Sequence, residues 1–305
     1  MKRRSPCLIV SFLSLFLIPL ATFAQTRADR VQSTVEANPK ANWWQVMDTG
    51  PFITDTFRMY GAQGPVGVLK GVAIKVGPDE DHTLVFDTET MRMVAGFEGK
   101  VSMGGTPWDG KHGGNSAFPT DHSKYYFTTE WGPGWAIAGD WTDPREKDND
   151  LPNGPLPDEH SEYLGIYRHE GGSVLSYQIA GTQILEQPGL IDGQLVRFFY
   201  LREATSKPLQ ILVSDPPAVP EKGPKTPPIF ARLNNAPEGV KLETLESGRK
   251  VVTIPEGSPP SNFQLFYSRN ELAPPLKIEM ADPDLLTQGG PALFPETVDV
   301  NGRMS

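Results

Sequence analysis

Residues 162–188 read EYLGIYRHEGGSVLSYQIAGTQILEQP, and their pattern decides the fold class. Three short apolar-alternating runs are separated by two turn signals. In the first, Glu162 to His169, strand alternation would place Tyr163, Gly165 and Tyr167 on one face and Leu164 and Ile166 on the other. Glu170-Gly171-Gly172 turns the chain, because glycine reaches positive φ without a Cβ clash. In the second run Leu175, Tyr177 and Ile179 alternate with Val174, Ser176 and Gln178; Ala180-Gly181-Thr182 turns again, and Gln183 to Glu186 runs back. Runs this close pair antiparallel, and the resulting meander needs a second layer over its apolar face.

The flanks supply that layer. Val66 to Val76 is strand-like, with Val72, Ile74 and Val76 on one face. His82 to Asp87 and Met91 to Phe97 read as a hairpin across Thr88-Glu89-Thr90, and Tyr125 to Thr129 as a short strand. After the meander, Leu195 to Arg202 and Pro208 to Ser214 are expected to form a further hairpin. Residues 215–228, DPPAVPEKGPKTPP, read as a Pro-rich connector. Ile229 to Leu233, Val240 to Leu245, Lys250 to Ile254 and Asn262 to Tyr267 are four more strands, the middle pair turned by Ser247-Gly248. The expectation is an all-β protein: a two-layer antiparallel β-sandwich of about ten to twelve strands over residues 48–271, with long Gly/Pro/Trp-rich loops. With 30 Gly and 30 Pro in 305 residues, turns and strands are favoured over helices. Residues 272–305, with Pro274-Pro275 and Gly289-Gly290-Pro291, read as a linker-like tail that could carry a protein partner.

The first 24 residues have the form of a secretory signal. Lys2, Arg3 and Arg4 precede an apolar run from Cys7 to Leu20, and Thr22-Phe23-Ala24 places small residues before a cut after Ala24. The run is short for a membrane span of about 20 residues, so cleavage and a secreted or periplasmic location are expected, with no transmembrane span afterwards. Residues 25–47 read as a flexible N-terminal segment. Cleavage removes three of the 28 basic residues and no acidic ones, leaving 25 against 37, a net charge of −12. So acidic a chain is a poor partner for nucleic acid. Cys7, the single cysteine, lies in the signal, so no disulfide, thiolate metal site or haem-attachment motif is available to the remainder.

No complete catalytic motif is present, and neither a metal nor a cofactor is expected. Gly114-Asn115-Ser116-Ala117-Phe118 lacks the second glycine of a nucleophile elbow, and His169-Glu170-Gly171-Gly172 lacks the second histidine of a zinc helix. Asp148-Asn149-Asp150 and Glu159 have the outline of a calcium loop. However, Pro152 sits at a ligand position and the turn glycine is displaced to Gly154, so a solvated acidic loop is the better reading.

The candidate binding region is 104–145, which carries four of the six tryptophans: Trp108, Trp131, Trp135 and Trp141. Asp109, Lys111, His112, Asn115, Asp140, Asp143 and Arg145 are interleaved with them. An indole face beside carboxylates and amides suits a sugar ring, whose C–H face packs on the aromatic while its hydroxyls hydrogen-bond. The same tryptophans could instead pack the loop onto the sandwich edge. Asp109 with His112, or Asp140 with Asp143, could also form an acid–base or carboxylate pair. The primary reading is an exported, non-catalytic binding or accessory module for carbohydrate or another envelope polymer. A glycan-active hydrolase or lyase using these loops is the rival, and a scaffold docking a separate dehydrogenase-like partner is the third.

At Gly50-Pro51-Phe52, Lys70-Gly71-Val72-Ala73-Ile74, Val85-Phe86-Asp87-Thr88, Asp109-Gly110-Lys111-His112-Gly113, Gly134-Trp135-Ala136 and the meander, the chain resembles a known family. It is similar to the N-terminal domain of unknown function of large, multifunctional secreted bacterial proteins. There the domain precedes a sugar-dehydrogenase-like β-propeller, often with a c-type cytochrome segment. The resemblance runs from residue 48 to residue 300, and Gly289-Gly290-Pro291-Ala292 and Pro295-Glu296-Thr297-Val298 match the passage into the propeller. The propeller and the Cys-x-x-Cys-His motif are not in this sequence, so the resemblance implies neither haem nor dehydrogenase activity here. It carries over no catalytic residue.

Overall fold

The structure, a computed structural model, describes residues 49–58, 68–102, 116–119, 121–148, 151–152, 154–169, 172–216, 229–271 and 278–288. They form an all-β, antiparallel sandwich. The first sheet is built from β1 (Phe52–Arg58), β2 (Val68–Val76), β3 (His82–Asp87), β4 (Arg92–Glu98), β5 (Ser116–Ala117) and β6 (Tyr125–Thr128), in the order β5-β1-β2-β3-β4-β6. Only the short β1–β5 contact is parallel. β7 (Trp135–Ile137) belongs to another sheet, and β8 (Lys147–Asp148) pairs with β9 (Leu151–Pro152). The second sheet contains the meander β10 (Ser161–His169), β11 (Gly172–Ile179) and β12 (Thr182–Ile191), then β13 (Gln194–Leu201). After β14 (Leu209–Ser214) come β15 (Phe230–Asn234), β16 (Lys241–Thr244), β17 (Lys250–Ile254) and β18 (Ser261–Ser268). The second sheet runs β10-β11-β12-β13-β18-β15, and the third β16-β17-β14-β7.

The second sheet faces the other two across one core. Tyr177 of β11 stacks on Phe86 of β3 at 5.5 Å and meets the Trp135 ring of β7 edge-on at 6.1 Å. Phe127 of β6 stacks on Tyr267 of β18 at 4.1 Å. The other face of the first sheet is buried too: Phe57, Val85, Phe97, Phe118 and Tyr125 form a second apolar cluster there. This is why β3 is buried at every position and loses the alternation of a half-exposed strand.

Three expectations are corrected. Leu195 to Arg202 and Pro208 to Ser214 do not form a hairpin: β13 pairs with β12 and β18, whereas β14 pairs with β17 and β7. The chain crosses between layers after β13, so β14 faces it across the core, and Arg197 Nη1 of β13 reaches the Leu212 carbonyl of β14 at 3.4 Å. Both strands carry apolar residues on both faces, so periodicity could not separate pairing from stacking. Secondly, Tyr163 and Tyr167 do not share a face. A bulge sets Tyr163 opposite Tyr177 but Gly165 opposite Ser176, which shifts the side-chain period by one. Tyr163 and Ile166 therefore pack on the main core, Tyr167 packs on the opposite side, and Leu164 is left exposed. Thirdly, the tail is not all linker. Asp282 caps a short helix, α1 (Pro283–Leu286), whose Leu286 is buried with Val174, Leu185 and Tyr200. The expected flexible segment 25–47 lies outside the described residues.

Candidate functional site

The rim around Trp131 and Trp141 rests on a tight backbone crossing. At Gly134 a Cβ would sit 2.2 Å from the Met91 carbonyl oxygen and 2.4 Å from Arg92 Cα, so only glycine lets the chain pass. Gly134 N–H donates to the Thr90 carbonyl at 2.9 Å, and its own carbonyl accepts from Leu212 N–H at 2.9 Å. The crossing ties the β3–β4 turn to β14 and delivers Trp135 into the core, where it is fully buried.

Buried charge holds the rim in place. Arg92 is 1 % exposed; its Nη1 donates to the carbonyls of Thr129 (3.2 Å) and Glu130, and Asp87 lies 3.6 Å away. Its guanidinium sits 5.6 Å from the centre of the Trp131 ring. Burial lowers the Arg92 pKa, while Asp87 and Asp215 oppose that fall. Asp215 is the hub between segments: one carboxylate oxygen accepts from Glu130 N–H at 2.6 Å and the other from Arg249 Nε at 2.7 Å. Arg249 in turn lies 4.9 Å from the Trp141 ring, a cation–π contact. The Trp141 indole N–H donates to Gln210 Oε1 at 3.2 Å. Trp141 is thereby fixed half-buried on the third sheet.

The sequence-derived candidates divide by location. Trp108, Asp109, Lys111, His112 and Asn115 lie outside the described residues. Trp135 is a core side chain with no surface to offer a ligand. Arg145 is also buried: it forks onto Asp143 at 2.9 and 2.8 Å and donates to the Gly154 carbonyl at 2.9 Å, which pins the loop from inside. Trp131, Trp141 and Asp143 are half-buried, and Asp140 is exposed. Hydrogen bonds from Thr142 hold the Asp140 carboxyl below the usual carboxylate range. Partial burial works to raise Asp143, but hydrogen bonds and charge from Arg145 outweigh it and its pKa is also lowered. Among the described residues no group of three His, Cys, Asp or Glu side chains is placed to hold a metal ion, and no helix is long and apolar enough to cross a membrane.

Sequence reasoning missed Arg92, Gln210, Asp215, Arg249 and His160. Asp215 begins the expected connector yet is 4 % exposed, and it reaches Glu130 from 85 residues away. No spacing rule could have found it. His160 lies in the electrostatic field of Asp143, Asp140 and Glu159. Burial pushes its pKa below 6.5, and the Trp135 backbone and those carboxylates only partly restore it. The folded state thus keeps the ring neutral where an unfolded chain would take up a proton. As pH falls through about 6.5, the unfolded state binds more protons and stability declines, until the folded ring also titrates. His160→Gln is expected to flatten that part of the profile. Urea denaturation of both proteins from pH 7.5 to 5 measures it, and a stability difference independent of pH would refute the assignment.

Against this geometry the comparisons add one finding. Residues 84–186 match the family model described as domain of unknown function (DUF6797). The matched segment runs from β3 into β12 and includes Trp131, Trp135, Trp141 and the Gly134 crossing. No curated protein and no solved structure matches the chain. The propeller and cytochrome context rests on the sequence resemblance alone.

Proposed function

We propose that the chain is an exported, non-catalytic binding module for a carbohydrate or another polymer of the cell envelope. Export rests on the signal-like first 24 residues. The observation that carries the binding reading is the Trp141 ring, fixed half-buried by Gln210 and Arg249 with Asp140 and Asp143 in the same loop. A rigid indole loses little entropy on stacking against a sugar ring, and ionised carboxylates accept hydrogen bonds from its hydroxyls.

Asp140 and Asp143 do not suit the role of general acid in the hydrolase reading. A glycosidase acid must keep its proton at working pH, which calls for a raised pKa, whereas Asp140 and Asp143 are both lowered and both serve loop hydrogen bonds. A glycan array followed by calorimetry on the full chain tests the proposal. Retention of a glycan without cleavage products is expected, with a dissociation constant of about 1 mM, or about 4 kcal/mol. Trp141→Ala should weaken it roughly threefold to tenfold, the range of one aromatic contact. No retained glycan and no heat would end the carbohydrate reading, and cleavage products would favour the rival.

A further inference from the structure

The outward-facing polar side chains of the third sheet form a continuous line. Trp141 N–H donates to Gln210 Oε1 (3.2 Å) and Gln210 Nε2 donates to Thr253 Oγ1 (3.3 Å). Thr253 Oγ1 then donates to Glu243 Oε1, and Lys241 Nζ lies 3.4 Å from Glu243 Oε2. Gln210 and Thr253 are direct partners across β14 and β17, and Thr253 and Lys241 across β17 and β16. The line therefore runs perpendicular to the strands. Each donor points the same way, towards Glu243, and such chains of hydrogen bonds reinforce one another. The Thr253 hydrogen bond, ahead of Lys241, holds the Glu243 carboxyl below its usual range, so it stays an acceptor. Every one of these side chains is half-buried except Lys241, which is exposed.

We infer that this line, with Trp141 at one end and Glu243 at the other, is an extended binding site for a linear polyhydroxylated chain lying across β14, β17 and β16. The inference rests on the carbohydrate reading above and adds the ligand's length and direction. Strands lie about 4.8 Å apart, so the line from Gln210 on β14 to Lys241 on β16 covers two spacings, about 10 Å, and Trp141 extends it beyond Gln210. One strand spacing is close to the length that one pyranose adds to an extended β-1,4-linked chain, so about three rings cover the line in register with it. Trp141 stacks the first ring. Gln210 retains a second N–H and Thr253 a lone pair for the hydroxyls of the next. Glu243 accepts hydrogen bonds from the hydroxyls of the last. Because these side chains are already held by one another, little rotamer entropy is lost when the ligand settles.

The test is a length series of linear β-1,4-linked oligosaccharides, from one to six units, titrated into the full chain by calorimetry. Affinity should climb through the trisaccharide by about tenfold and then level off. Glu243→Gln keeps the size of the side chain and removes its charge. It should weaken the trisaccharide about fivefold and leave the monosaccharide unchanged, whereas Trp141→Ala weakens every length. Circular dichroism and an unchanged melting temperature would show that Glu243→Gln is folded. Binding that is flat with length, or indifferent to Glu243→Gln, overturns the extended site and leaves the carbohydrate reading standing. Binding of no oligosaccharide at all overturns both.

Discussion

Arg197→Ala is expected to lower folding stability by about 3–5 kcal/mol, the range for removing one partner of a buried ion pair. Arg197 and Glu186 lie at the centre of the second sheet's inner face, 1 % and 0 % exposed. The guanidinium donates to both carboxylate oxygens, at 2.6 and 3.1 Å, to Tyr267 Oη at 3.1 Å and to the Leu212 carbonyl at 3.4 Å. Tyr177 Oη adds a second donor to Glu186 at 2.6 Å. Burial acts to lower the Arg197 pKa, yet Glu186 outweighs it and the net shift is upward, so the cation is firmly held. Burial pushes both tyrosines up, which keeps their hydroxyl protons available as donors. Without Arg197 the Glu186 carboxylate keeps one donor and no counter-charge. It must then take up a proton or open the core to water.

The double substitution Glu186→Leu with Arg197→Met should recover most of that loss. The pair's mutual attraction largely offsets its desolvation, so an apolar pair of similar volume is a fair substitute where a lone charge is not. Urea unfolding of the three proteins measures both effects. Arg197→Ala within 1 kcal/mol of the parent would mean that the core is not built around this pair.

Gly134→Ala is the second large effect. The added methyl would meet the Met91 carbonyl oxygen at 2.2 Å, Arg92 Cα at 2.4 Å and the Met91 carbonyl carbon at 2.6 Å. All three are backbone atoms, at the end of the β3–β4 turn and the start of β4, so no rotamer change gives relief. The loss should reach or exceed the top of the usual overpacking range of about 1–3 kcal/mol. At about 2–4 °C per kcal/mol for a domain of this size, the melting temperature falls by roughly 6–12 °C. Because the crossing supports Trp131 and leads into Trp135, the tryptophan emission of the folded variant should also shift. Gly139→Ala supplies the contrast. Its φ is +81° with open space around the Cβ, so only the backbone penalty of about 1–2 kcal/mol applies. Equal losses at the two glycines would show that the close approach at Gly134 does not exist.

The meander was legible because its signals are local. Ala180 and Gly181 both take positive φ, the form a two-residue hairpin turn needs, and β11 and β12 pair on either side of them. Gly248, likewise at positive φ, turns β16 into β17 where Ser247-Gly248 marks it. The bulge at Gly165 was only faintly legible: an isolated glycine inside a strand pattern marks a possible bulge, and Gly165 takes a φ of +141°, but nothing local says in which register the strand resumes. The candidate site was half legible for a similar reason. Tryptophan content singles out a stretch of chain, but composition cannot tell Trp135, fully buried, from Trp141, half-buried and held by Gln210.

Strand-and-turn character, the antiparallel meander, the acidic net charge and the aromatic concentration between Trp131 and Trp141 can all be read from the residues alone. Each follows from residues that are neighbours along the chain, where backbone preference and period-two burial act directly. That β14 leaves the meander's sheet, and that Arg197 and Glu186 meet inside the core, follows from long-range packing. So does the bracing of Trp141 by Arg249, itself held by Asp215, each of them more than 70 residues away in the chain. Those choices depend on which buried charges find partners and which apolar faces close on each other across the layers. Such energies exist only between segments already brought together, so no local pattern encodes them.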